Sequence, residues 1–156
     1  MKQRLDIKHV LPSLNEYIDE IGRHNREGGK FKKKWMQFVQ TQIRSCKLRP
    51  VTQAVFKFIW IEKNKKRDKD NITGFGKKVI LDALVQEEII ENDGWRHVIG
   101  FEDHYYTVRT SDGVLPDGGV VVFIEEIQVP EAERDSYGQS SVSEMVSDWD
   151  ASQGGL

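Results

Sequence analysis

Asp68 and Asp70 stand one residue apart in Arg67-Asp68-Lys69-Asp70-Asn71, just beyond an apolar, β-branched stretch. If extended backbone runs on through them, its period of two places both carboxylates on one side and Lys69 on the other. Two convergent carboxylates form a hard-oxygen site. Magnesium keeps several waters and is held by one or two carboxylates plus substrate phosphate, and an ion so held polarises a phosphodiester and activates water. Asp93, in Asn92-Asp93-Gly94-Trp95, adds a third carboxylate if the chain folds back on itself. The bland readings stay open at this point: Asp70 or Asn71 capping the helix that follows, and Asp93-Gly94 as an ordinary turn.

Other chemistries find no support in the spacing. An EF-hand loop would want Asp or Asn, then Gly, then Glu where the chain has Ile72, Thr73 and Val79. Cys46 is the one cysteine and has no CxxC partner, and His9, His24, His97 and His104 show no zinc spacing. There is no nucleophile elbow, phosphate-binding loop or dinucleotide fingerprint, since Gly74-Phe75-Gly76 lacks a third glycine.

The elements that must position the aspartates follow from periodicity. Ser13 is placed to cap a short helix in which Leu14, Tyr17, Ile18 and Ile21 recur at helical spacing. Gly22, Gly28 and Gly29 then predict a loop, before a longer amphipathic helix carrying Phe31, Trp35, Phe38, Val39, Gln42 and Ile43 on one face. After Pro50, VTQAVFKFIWIEK predicts a central strand covered on both faces. Residues 72–88 predict a helix apolar on nearly all sides, buried by the sheet and by a further layer such as a dimer partner, with Gly74 and Gly76 delaying its regular start to near Lys77. RHVIGFEDHYYTVR and VVVFIEEIQV predict two more strands joined as a hairpin. From Pro130 the chain is polar, acidic and serine-rich without an apolar period, which predicts a disordered or loosely attached tail over residues 129–156 behind a domain of residues 1–128.

Length and composition bound the rest. A chain of 156 residues fits one domain. Its hydrophobic share is 38%, its charged share 31%, and no apolar run is long enough to span a bilayer. With no apolar leader in MKQRLDIKHVLP and a single cysteine, a soluble protein of a reducing cytoplasm is expected. The net charge of -2 hides an asymmetry. Glu131, Glu133, Asp135, Glu144, Asp148 and Asp150 face Arg134 alone in the tail, so the body before it is basic by three charges. A basic body with an acidic tail suits a nucleic-acid binder, and occurs in other enzymes too.

Taken together, RDKDN, KKVILDAL and NDGW, preceded by PSLNEY and HNREGGKFKKKW, resemble in order and spacing the RusA family of Holliday junction resolvases, common in phages, over about Leu11 to Gln128. The resemblance implies an α+β single domain, with a small mixed β-sheet packed against helices, assembled as a two-fold homodimer. It implies an endodeoxyribonuclease that uses magnesium, or manganese in its place, to cut four-way DNA junctions by paired nicks in recombination and repair. The family's acidic residues fall on Asp68, Asp70 and Asp93 as metal ligands, and its lysine on Lys78. Two departures stand out. ITGFGK adds residues between Asn71 and that lysine, which brings Lys77 into contention, and Asn92 stands where members often carry another aspartate. DNA phosphates would be met by Arg23, Arg26, Lys30, Lys32, Lys33 and Lys34, and by Lys65, Lys66, Arg67, Lys69 and Lys77. No membrane and no organic cofactor are expected. The alternatives are a branched-DNA or flap nuclease of broader preference, and a junction binder that has lost turnover.

Overall fold

A computed structural model describes residues 1–23, 25–130, 132–133 and 140–154, the side chains of 25–27 excepted. Its elements are β1 (Lys2–Ile7), α1 (Leu14–Arg23), α2 (Asn25–Cys46), β2 (Ala54–Glu62), α3 (Lys69–Gln86), β3 (Val98–Thr107), β4 (Gly119–Glu126) and α4 (Val142–Gln153). The fold is a small single-domain α+β arrangement with one four-stranded mixed sheet in the order β1-β4-β2-β3.

Alternation within the strands decides which face meets the helices. Leu5 and Ile7 of β1, Phe56, Phe58 and Trp60 of β2, and Val120, Val122 and Ile124 of β4 all point to one side and are buried. Against them pack Val39 and Ile43 of α2 and Ile72, Phe75, Val79, Ile80, Ala83 and Leu84 of α3. The further layer over α3 is therefore this chain's own α1 and α2. Gly76 lets α3 approach the sheet: a Cβ there would lie 3.1 Å from the Trp60 ring and 3.3 Å from Leu11.

Four sequence expectations are corrected. β3 and β4 do not form a hairpin. β2 and β3 run parallel, with α3 as the crossover that a parallel pair requires, while β4 pairs antiparallel with both β1 and β2. The reason is that Val120, Val121 and Val122 make β4 apolar on both faces, so it takes a central place, whereas half-exposed β3 takes the edge. The first strand, β1, lies in a segment that was not expected to be one. α3 starts at Lys69 rather than near Lys77, its glycines sitting inside it where the sheet and α1 come close. And the glycine-rich stretch is not a loop: α2 begins at Asn25 and runs through Gly28 and Gly29, so the basic run from Lys30 to Lys34 is helical.

Within the tail α4 forms a helix, capped by the Ser141 hydroxyl accepting from the Glu144 N–H at 3.1 Å, and none of its residues is buried. Among the described residues no helix is long and apolar enough to cross a membrane.

Candidate functional site

The two aspartates belong to a helix start. β2 ends at Glu62, and Asp68 is the N-cap of α3, its carbonyl accepting the Ile72 N–H at 3.0 Å. Asp70 lies in the first helical turn. The strand alternation that would have aligned their side chains therefore does not operate, and proximity at one helix end takes its place. Both residues are exposed, and the Asp68 side chain makes no cap hydrogen bond. Among the described residues neither carboxylate has a hydrogen-bond or ion-pair partner. A helix N-terminus is a favourable place for two negative charges.

This turn is fixed from behind by the PSLNEY segment. Arg67 donates to the Leu11 carbonyl at 2.9 Å, pairs with Glu16, and lies 3.5 Å from Glu62. Burial pushes the Glu62 carboxyl up, and the Arg67 guanidinium opposes that shift. One residue beyond the aspartates, Asn71 accepts the Asn15 N–H at 2.9 Å, joining the starts of α1 and α3.

Asp93 lies in the turn between α3 and β3 and meets the helix further along. Its carboxylate is 2.7 Å from Lys78 Nζ, and Lys78 also meets Asp82 at 3.0 Å, with Lys32 of α2 on the other oxygen of Asp82 at 2.8 Å. Lys78 is eight residues after Asp70, a rise of about 12 Å along the helix. The expected convergence of Asp68, Asp70 and Asp93 is thus not what the chain forms. Among the described residues no group of three His, Cys, Asp or Glu side chains is arranged to hold a metal ion. What Asp93 does is hold Lys78: the hydrogen bonds that Lys78 donates to Asp93 and Asp82 raise the lysine's pKa, and the same lysine lowers that of Asp93.

Lys77 is held differently. Seven residues after Asp70, it is two turns along and so shares the Asp70 face, turned toward β3. Its Nζ sits 2.6 Å from Asp103, over the rings of Phe58 (5.0 Å) and Phe101 (4.6 Å). Trp60 Nε1 donates to the second oxygen of Asp103 at 2.8 Å. Nearer the aspartates, Lys69 lies over the Tyr105 ring at 5.2 Å. Burial raises the Tyr105 pKa, the charges of Asp103 and Asp70 add to that, and the Thr73 hydroxyl beside it works the other way. Asp103 and Tyr105 escaped the sequence reading. The signal existed in the matched spacing of Asp70, Lys77 and alternate β3 residues, but using it requires the parallel register in which Asp103 faces Phe58 and Tyr105 faces Trp60.

The expected DNA-contacting cations fall into two groups. The loop 63–67 carries exposed Lys65 and Lys66 directly before Asp68. Lys66, with Glu62, Lys63, Asn64 and Arg67, forms one wall of a cleft of about 380 Å³, whose other wall includes His9 and Trp35. Lys33 and Lys34 of α2 are exposed, Lys34 resting over Trp35 at 5.2 Å. Lys30 is exposed as well; Lys32 is bound to Asp82 and Arg23 to Glu20. The Arg26 side chain lies outside the described residues. Compared with family models and with curated proteins, the chain matches none.

Proposed function

We propose that this chain is a magnesium-dependent endodeoxyribonuclease of RusA type that cuts four-way DNA junctions as a two-fold homodimer. The observation that carries the reading is the meeting of the motifs on one helix. PSLNEY clasps RDKDN at the start of α3 through Arg67 and Asn71, and NDGW reaches the LDAL segment through Asp93 and Lys78.

Asp68 and Asp70 suit a magnesium ion. They offer two unpaired, solvent-open carboxylates, and the hard-oxygen mode of binding leaves the remaining positions to water and substrate phosphate. A metal held there supplies Lewis-acid polarisation of the phosphodiester and activation of water. The chain's own residues do the rest. Asp93 and Asp82 keep Lys78 charged and oriented about 12 Å along α3 from Asp70, where it is set to meet a neighbouring phosphate of the strand rather than the one being cut. Lys77, enclosed by aromatic rings and Asp103, anchors the Asp70 face of α3 to the sheet instead. Lys66 in the Trp35 cleft, exposed Lys65 beside it in the chain and Lys34 over the Trp35 ring are set to contact phosphates, with junction shape giving the selectivity.

The test is cleavage of a synthetic immobile four-way junction and a matched duplex by wild type and Asp70→Asn, with magnesium or EDTA. Paired nicks on the junction, dependent on magnesium and lost in a variant that still binds, are the expected result. Binding without cleavage by wild type in both magnesium and manganese would reject the enzyme.

A further inference from the structure

In α4, Val142, Met145, Val146 and Trp149 occur at positions i, i+3, i+4 and i+7, which aligns them as one apolar stripe. Their exposures are 77%, 57%, 53% and 66%, and no residue of the helix is buried. A helix of twelve residues is marginal in water by itself and is normally held by packing of its apolar face. This stripe lacks its cover.

The sheet has a face with the matching need. Opposite the side packed by α1, α2 and α3, the residues Ile59, Ile61, Tyr106, Val121 and Phe123 line an open cavity of about 230 Å³. Tyr106 and Phe123 remain 43% and 37% exposed, as does Val114 beside them at 38%. Three ion pairs border this face, Arg4 with Asp6 at 2.7 Å, Lys57 with Glu102 at 3.4 Å and Lys2 with Glu125 at 3.8 Å, and Asp112 lines the cavity as well.

We propose that α4 of one protomer docks by this stripe on the outer sheet face of a second copy, with Trp149 in the cavity, and that the exchange is reciprocal. One chain contains both helix and patch and leaves both open, so two copies supply each other's missing cover. Pairing of α4 with α4 is disfavoured by three acids on each helix and no base. The tether is long enough. The chain leaves the body at Val129, whose N–H is held by Gln53 Oε1 at 3.1 Å, and the twelve residues to Ser141 span up to about 40 Å. Size argues for reciprocity, because one helix contact is small for a specific interface and two bring the total to the order of 1,200 Å². The inference deepens the homodimer of the proposed function and rests on it for the two-fold symmetry, but not on the nuclease chemistry.

Light scattering of the full chain at micromolar concentration tests it, with hydrogen exchange across residues 142–153. Wild type is expected as a dimer with those residues protected. Trp149→Glu, Met145→Glu and Tyr106→Glu, all at exposed positions, should each weaken dimerisation about tenfold or more. Mixing Trp149→Glu with Tyr106→Glu should restore dimer beyond either alone, because the mixed pair retains one intact helix-to-face contact. A dimer that tolerates all three substitutions would overturn the proposal. So would a monomer with residues 142–153 unprotected, and so would a monomer with them protected, which would mean docking within one chain. None of these results depends on junction cleavage, so the nuclease reading stands or falls separately.

Discussion

Lys78 and Asp93 hold each other in opposite protonation extremes, and the consequence is a pH dependence with two limits. The Asp93 carboxyl is depressed first by the hydrogen bond from Lys78, with burial opposing. A depressed folded value means stability that is present above the unfolded value of about 3.9 and lost as pH falls through the lower folded one. Lys78 is raised, chiefly by Asp93 and then by Asp82. Its contribution is present below about 10.4 and lost as pH rises through the folded value. The Lys78 side chain is 56% exposed, so solvent screening keeps the pair to about 0.2–1 kcal/mol. Asp93→Asn is therefore expected to lower the urea midpoint slightly at neutral pH, and the gap to wild type should close toward acid and again toward strong alkali. A gap unchanged in acid would mean that Asp93 acts through something other than its charge. At this scale the sequence revealed the reactive residue types but not their grouping. The motif residues are all present, yet Asp93 meets a lysine instead of the other aspartates, and Asp103 joins through a strand register that no local spacing encodes.

Among the elements, α3 has the least freedom, because it is wedged between the sheet and α1. At Gly76 an added methyl meets the Trp60 ring at 3.1 Å, and Trp60 is itself only 2% exposed and tied to Asp103, so it cannot yield. Gly29 in α2 has nothing within 4 Å. The same change should then act with opposite sign at the two sites. Gly29→Ala should stabilise by about 0.5–1 kcal/mol through helix propensity, while at Gly76→Ala that gain is outweighed by an overpacking cost of about 1–3 kcal/mol. Thermal or urea unfolding of both variants checks this, and a stabilised Gly76→Ala would show that α3 can shift on the sheet. These glycines also explain what the sequence hid. Read by propensity they delay α3 and interrupt α2, whereas in the fold one gives close approach and the other is simply tolerated. The amphipathic face of α2, the Ser13 cap and the β2 strand were legible because local patterning decides them. The placing of β4 was not, because burial on both faces overrode the short connection to β3.

Across the whole molecule, charge is divided between a basic body and an acidic tail, a division readable from the chain itself. Folding adds the relation between the two basic stretches. The loop 63–67 and the Lys34–Trp35 turn of α2 border a common cleft immediately beside Asp68. A duplex arm tracked by that cleft would release counterions from each phosphate contacted by lysine. Log affinity should then fall with log salt with a slope of about −0.9 per contact. Replacing both Lys65→Ala and Lys66→Ala should make that slope shallower by about 1.8 if each lysine meets a phosphate. Because phosphate contacts position DNA and carry no sequence information, junction and duplex should weaken together, and their ratio should hold. A salt titration of binding in EDTA, which removes cleavage from the measurement, tests the expectation directly. An unchanged slope would take the loop off the DNA path and leave α2 to supply the positive surface. A loss confined to the junction would instead assign Lys65 and Lys66 to recognition of the branch point, where the arms diverge and shape is read.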